Sequence, residues 1–397
     1  MSFRFACLAT IAPALMVAPS FAQNSESDDY VVDTIVITAP GPERSADELI
    51  GNATVLTRED IVSLLEPSLG DTLAREPGVA STYFGPAASR PVVRGLGSER
   101  VLLLTNGIDV IDVSAASPDH QAAADGIDAK RIEILRGPAA LAYGGQAIGG
   151  VVNVIDGLIV ESLPEKPLTG DVYGAHNSVN SGVEGAAAGQ ITIGDFVFAL
   201  SASARDFDPM DIPGYAESDL QRALEEEEHQ EHEEGEEEEH EEEEHAFGVL
   251  PNSFVETQTL GAGLSWVGET AFFGVSVRDT QSEYGLIGHS HGHEDEHHED
   301  EEEGEEHEEH EEESPFIDLS HTRYDLRGGV TFEDALLTKA LLTASFVDYE
   351  HTEFEAPGEA GSNFTSEGHE IRFEVDHASI LGFEGAVGFS TTDKSLE

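Results

Sequence analysis

Residues 130–155 read KRIEILRGPAALAYGGQAIGGVVNVI. Ile132, Ile134 and Leu135 form one short apolar run, and Val151, Val152, Val154 and Ile155 form another. Each has the length and β-branched character of a buried strand. Between them lie Gly137-Pro138, Gly144-Gly145 and Gly149-Gly150, a glycine density that marks backbone turning sharply or closely approached. The G-x-x-x-x-G-K-[ST] pattern is absent, so these glycines are not read as a phosphate loop. Upstream, residues 101–104 are a further buried strand, and Asn106-Gly107 turns it into Ile108-Asp109-Val110, a hairpin signal. Thr57-Arg58-Glu59-Asp60 looks like a capped helix start, and Asp71-Thr72-Leu73 suggests a second short helix stopped by Pro77-Gly78. Residues 45–164 therefore read as a mixed α/β domain.

After Lys166 the texture changes to strands of roughly ten residues with period-two alternation. Ile371, Phe373 and Val375 alternate with Glu370, Arg372, Glu374 and Asp376, and Leu260, Ala262, Leu264 and Trp266 line one face of another strand. About nine such strands fit between residues 168 and 391. A soluble sandwich also alternates, but here the second face is charged. Apolar-out and polar-in is the pattern of an outer-membrane barrel. Residues 1–22 carry Arg4, an apolar stretch and Ser20-Phe21-Ala22, which fits a cleaved signal peptide too short to span a bilayer. The one cysteine, Cys7, falls inside it.

The chain has 397 residues with 19 Lys plus Arg against 80 Asp plus Glu, a formal charge of -61. That balance excludes a nucleic-acid partner, which needs clustered cations, and a basic patch on anionic lipid. Two tracts, 225–245 and 289–313, hold 30 of the 80 acids and 11 of the 17 histidines. No catalytic constellation stands out, and the chain is not read as an enzyme or as needing a catalytic cofactor.

The run 130–155, with Val93-Arg94-Gly95 and Asn106-Gly107 upstream, resembles the plug signature of TonB-dependent outer-membrane receptors. Asn106 departs from the Asp-Gly that many members carry at that turn. The run Asp33, Thr34, Ile35, Val36, Ile37, Thr38 resembles the TonB box. The resemblance implies an α+β plug domain followed by a transmembrane antiparallel β-barrel in the outer membrane of a Gram-negative cell, in contact with its lipid. It also implies a periplasmic energy-transducing partner, TonB, that pairs with the box by strand addition. The expected organisation is a signal peptide (1–22), a TonB-box segment and linker (23–44), a plug (45–165) and barrel strands (166–397) with acidic loops at 206–253 and 282–317. Plugged transporters have about 22 strands, so the nine strands are expected to be an incomplete barrel, the N-terminal part of a longer receptor.

A narrower resemblance concerns Ser117-Pro118-Asp119-His120. The zinc-uptake branch of the family has a similar plug segment whose Asp and His ligate the metal, together with His-rich, acid-rich loops. That assigns Asp119 and His120 as plug ligands. Ligands from the barrel wall must complete the site, with His351, Glu353, Glu355, His369 and Glu370 as unranked candidates near strand ends. The loop chemistry points the same way independently, because neutral imidazole and carboxylate both suit borderline divalent metals. The loop candidates are His229, His232, His240, His245, His289, His291, His293, His297, His298, His307 and His310. Zinc fits best as the transported ion, with nickel or cobalt close. Copper(I) would prefer sulfur ligands, and calcium and magnesium would prefer oxygen. Two other functions fit the same chain: a receptor for a metal chelate such as a siderophore or haem, and a non-transporting metal buffer.

A peptide spanning 289–313 is expected to bind zinc only where imidazole is deprotonated, losing affinity as pH falls through about 6.5. Calorimetric titration above and below that value checks this. Equal affinity at both would mean that carboxylates alone do the binding.

Overall fold

In the computed structural model the chain is described at residues 35, 36, 38, 41, 44, 45, 49, 53–224, 245–287, 314–333 and 335–397. Ten of the loop histidines (His229, His232, His240, His289, His291, His293, His297, His298, His307 and His310) lie outside those residues, as do the signal-peptide segment and Asp33, Thr34 and Ile37.

The described residues open with a short pair, β1 (Ile35–Val36) and β2 (Arg44–Ser45). β3 (Ala53–Leu56) leads into α1 (Arg58–Leu64), whose N-terminus is closed reciprocally. The Thr57 hydroxyl accepts from the Asp60 N–H, and the Asp60 carboxylate accepts the Thr57 N–H at 2.9 Å, satisfying two helix-end donors. α2 (Leu69–Leu73) is capped in the same spirit by Ser68. A small hairpin of β4 (Val79–Ser81) and β5 (Pro91–Val93) follows. Then come β6 (Val101–Thr105), β7 (Ile108–Asp109), β8 (Arg131–Leu135) and β9 (Gly150–Ile155).

Five of these strands form one mixed sheet in the order β3-β8-β9-β6-β7, with β6 and β9 parallel. Ile61, Leu73, Val93, Ile132, Ile134 and Val152, all fully buried, lie at the centre of its core. The glycine pair before β9 has a steric reason. A Cβ on Gly149 would come within 2.8 Å of the Arg100 carbonyl, and Gly150 has φ +149°, a region that side chains rarely adopt.

The second part is a nine-stranded antiparallel sheet. Its strands are β10 (Leu168–Asn177), β11 (Gly182–Ile193), β12 (Phe196–Phe207), β15 (Val255–Val267), β16 (Ala271–Gly285), β17 (Phe316–Thr331), β18 (Leu337–Ala356), β19 (Glu359–Ile380) and β20 (Phe383–Leu396). A separate hairpin of β13 (Asp211–Tyr215) and β14 (Phe247–Val249) rises between β12 and β15. The strands pair in sequence from β10 to β20, and those two edge strands do not pair with each other. The expected count of about nine strands matches this sheet.

Alternation sorts the two faces. On β12, Phe196, Phe198 and Leu200 point outward, while Ser201, Ser203 and Arg205 point toward the plug and are buried. Phe196, Trp266 and Phe273 are register neighbours and all exposed, an outward aromatic row near the short-turn end of the sheet, as in barrel girdles.

The inner face grips the plug through arginines. Arg278 makes a bidentate pair with Asp128 at 2.9 and 2.7 Å. Arg205 reaches Asp125 and the Pro67 carbonyl, both at 2.8 Å. Arg323 donates to the Asp109 and Thr105 carbonyls at 2.9 and 3.0 Å, and Arg372 lies over the Tyr143 ring at 4.1 Å. Burial alone would push the Asp128 carboxyl up, yet the Arg278 charge and its hydrogen bonds hold it below the usual carboxylate range.

Arg278→Ala should therefore loosen the plug by roughly 3–5 kcal/mol, since it leaves a buried carboxylate unpaired. In the parent the Asp128 contribution is complete above about pH 3.9 and is lost as pH falls through its depressed value. In the variant Asp128 is left with burial, which favours the neutral acid, so the deficit should shrink at acid pH. Denaturant titration in detergent at neutral and acid pH checks both signs.

Candidate metal centre

His120 sits on the plug loop that joins β7 to β8 and is 3 % exposed. A tight turn presents it. Its N–H donates to the Ser117 carbonyl at 3.4 Å, and the Ser117 hydroxyl donates to Asp119 Oδ1. The wall fixes this turn from outside, because the Tyr284 hydroxyl on β16 accepts the Gln121 N–H at 2.8 Å and donates to the Asp119 carbonyl at 3.3 Å. His120 Nδ1 lies 3.3 Å from the Val113 carbonyl. A carbonyl only accepts, so Nδ1 carries the proton and Nε2 is left as the coordinating nitrogen.

Three groups face that nitrogen. Glu353 Oε1 on β18 is 2.9 Å away and Asp119 Oδ1 is 4.0 Å away. His351, two residues before Glu353 and so on the same strand face, has its ring centroid 4.5 Å from that of His120. His351 Nδ1 is 2.8 Å from the Tyr349 hydroxyl, while its Nε2 is buried without a hydrogen-bond partner, 3.6 Å from Glu353 Oε1. Phe364 closes one side, with ring centroids 4.8 Å from His351 and 5.6 Å from His120.

The donor set suits a zinc-sized cation. His120, His351 and Glu353 each offer a ligand atom within 4.8 Å of the others. A tetrahedral site with metal–ligand bonds of about 2.0–2.1 Å needs donors roughly 3.3–3.5 Å apart. The observed 2.9, 3.6 and 4.0 Å spacings bracket that requirement. Two lone-pair atoms 2.9 Å apart, His120 Nε2 and Glu353 Oε1, also need a proton or a cation between them.

Of the five wall candidates, two belong to this cluster. Glu355 is exposed near the strand end. His369 faces outward and stacks on Phe346 at 5.9 Å, and Glu370 faces inward but accepts the Asp109 N–H at 3.0 Å. Sequence reading missed Tyr284, Tyr349 and Phe364, the groups that orient and shield the ligands. The period-two parity of β18 could have set His351 and Glu353 on one face, but nothing local says which plug residue they meet. His245, the one loop histidine among the described residues, lies by Tyr215 with ring centroids 6.4 Å apart, outside this cluster. In the run 33–38, Ile35 and Val36 pair with Ser45 and Arg44, and Thr38 is buried.

Residues 45–151 match the TonB-dependent receptor plug domain family. The chain is 34 % identical over 147 residues to the vitamin B12 transporter BtuB of Photobacterium profundum, an alignment covering 36 % of this chain and 23 % of that protein. It is 34 % identical over 158 residues to a hemin receptor of Yersinia enterocolitica, covering 38 % and 22 %. The fold is similar to that of the alcaligin outer-membrane receptor FauA from Bordetella pertussis, with a TM-score of 0.58 and 16 % identity. That match covers 91 % of this chain and 50 % of FauA, so the chain spans about half the length of the receptor it resembles. Residues 45–151 thus match the TonB-dependent receptor plug domain family, and the nine-stranded sheet packed on them has the fold of part of the antiparallel barrel in such receptors.

Proposed function

We propose that the protein is a TonB-dependent importer of a divalent metal ion, zinc first and nickel or cobalt next, across the outer membrane. The observation that carries this reading is the composite site: His120 belongs to the plug, whereas His351 and Glu353 belong to the wall. A ligand set divided in this way holds the ion only while the plug is docked. Moving the plug loop separates the donors and lowers affinity in the same step that opens a route inward. The acidic, histidine-rich tracts 225–245 and 289–313 serve as collectors, raising the local cation concentration through their number of carboxylates and imidazoles. Work for uptake against a gradient comes from TonB, pairing with the run at 33–38.

The alternative, a receptor for a metal chelate, is favoured by one feature. Tyr83 and Phe84 on the plug are 50 % and 44 % exposed. Tyr83 lies beside Met210 at the long-loop end of the sheet, its hydroxyl 3.8 Å from the sulfur, where a planar chelate could stack. Competition between free zinc and haem or a ferric siderophore for the purified receptor separates the two readings. Displacement only by the chelate would overturn the free-ion assignment.

The wall ligands are tested by substitution. Tyr349→Phe, which removes a group orienting His351, should weaken zinc binding by roughly 10–100-fold, and His351→Ala should weaken it further. Both should fold normally by surface expression. Calorimetry on the purified receptor reads these effects, and unchanged affinity in His351→Ala would remove the wall from the site.

Zinc accumulation by whole cells across a concentration series separates site from collectors. Asp119→Ala with His120→Ala should impair uptake even at plentiful metal, because a site short of two of about four ligands cannot close around the ion. Deleting 289–313 should matter mainly when metal is scarce. Normal uptake by the double variant at every concentration would reduce the Asp-His pair to a structural turn between plug and wall.

A further inference from the structure

Thr38 follows the strand Ile35–Val36 by two residues and is 3 % exposed. Its N–H donates to Glu133 Oε2 at 2.8 Å, and its hydroxyl donates to the same carboxylate. The Tyr143 hydroxyl donates to its carbonyl at 2.7 Å, and Asn153 Nδ2 donates to its Oγ1 at 2.7 Å. Glu133 and Asn153 are register partners on β8 and β9. The end of the coupling run is therefore fastened by hydrogen bonds that reach the centre of the plug sheet.

Asn153 uses the other end of its amide elsewhere. Its Oδ1 accepts the Gly107 N–H at 2.9 Å. Gly107, with φ +86°, is in the β6–β7 turn, a conformation that glycine tolerates and side chains resist. The same hairpin leads directly to Val113, whose carbonyl accepts from His120 Nδ1. On the other side the wall holds the hairpin, through Arg327 to the Asn106 carbonyl at 3.2 Å and Glu370 to the Asp109 N–H at 3.0 Å. A polar cavity lined by Thr38, Asn106, Asn153, Arg327 and Glu374 adjoins these contacts.

We infer that Asn153 is a positioning residue for coupling, linking withdrawal of Thr38 to loosening of the β6–β7 turn that leads to the His120 loop. Withdrawing Thr38 leaves Asn153 Nδ2 without its acceptor in an interior where the residue is 1 % exposed. An unsatisfied buried donor is costly, so the amide must reorient, and reorientation breaks its bond to Gly107. The turn then loses its bond at Gly107 while keeping the β6–β9 ladder, the Asn106 N–H bond to the Val154 carbonyl at 2.9 Å and its wall contacts, so the β7 arm that leads to the Val113 carbonyl is less firmly held. The inference rests on the proposed TonB coupling but does not require that zinc be the cargo.

The test introduces Ala116→Cys, an exposed position four residues before His120, in a Cys7→Ser background. The probe is a membrane-impermeant maleimide on whole cells, with no added metal, with and without the proton-motive force that energises TonB. Labelling of the otherwise unchanged protein should rise on energisation. In Asn153→Leu, which lacks the bond to Gly107 already at rest, that rise should be lost. If Asn153→Leu does not reach the surface, Thr38→Val serves instead: it removes the hydroxyl, keeps the N–H bond to Glu133, and should lose the rise while still being captured by TonB. An energised rise persisting in Asn153→Leu or in Thr38→Val overturns the relay, as does the absence of any rise in the parent. Loss of zinc binding in His351→Ala is independent of all these outcomes, so failure of the relay and failure of the metal reading are told apart.

Discussion

Arginines on the inner face of the wall hold the plug in place, and the site exists only because they do. The chain carries 19 basic residues against 80 acids, yet Arg205, Arg278, Arg323, Arg327 and Arg372 all reach plug carboxylates, carbonyls or rings. Scarce cations are thus concentrated at one internal surface. Arg278 and Asp128 illustrate the energetics. Each charge is costly to bury alone, and bidentate geometry offsets that cost only when both are docked. Such a contact favours one seating of the plug over near alternatives.

That seating brings together groups from two parts of the chain. His120 arrives on a plug loop, and His351 and Glu353 arrive on β18. Tyr284 on β16 holds the turn at Asp119–Gln121, and Tyr349 orients His351. These neighbours matter as much as the ligands, since a coordinating imidazole needs its other nitrogen occupied to present the right lone pair. The composite nature of the site also joins binding to plug position, because no single part carries a complete donor set.

In the proposed reading, the acidic tracts and the buried cluster obey different physics. The tracts combine acids and imidazoles with almost no apolar residues, so their action depends on number and charge. The buried cluster depends on geometry, with distances of 2.9–4.0 Å among few groups. If both bind metal, donors that are many and interchangeable would tolerate loss, whereas donors that are few and buried would not.

Much of this was legible in the chain itself. Period-two alternation with charge on the second face separates barrel wall from plug, because successive side chains on a strand must point to opposite faces. The capping residues Thr57 and Ser68, the Asn106-Gly107 turn and the Gly149-Gly150 pair are local signals, set by backbone geometry within a few residues. Asp119 and His120 were readable only through a family resemblance, and the choice of His351 and Glu353 over Glu355, His369 and Glu370 was not readable at all. Strand parity puts His351, Glu353 and Glu355 on one face, but which plug loop meets that face depends on how the plug docks. Docking is decided by pairs such as Arg278 with Asp128, 150 residues apart, and Arg323 with the Thr105 carbonyl, 218 residues apart. Contacts between groups so distant in sequence leave no periodicity or spacing to read, so only the tertiary structure could decide them.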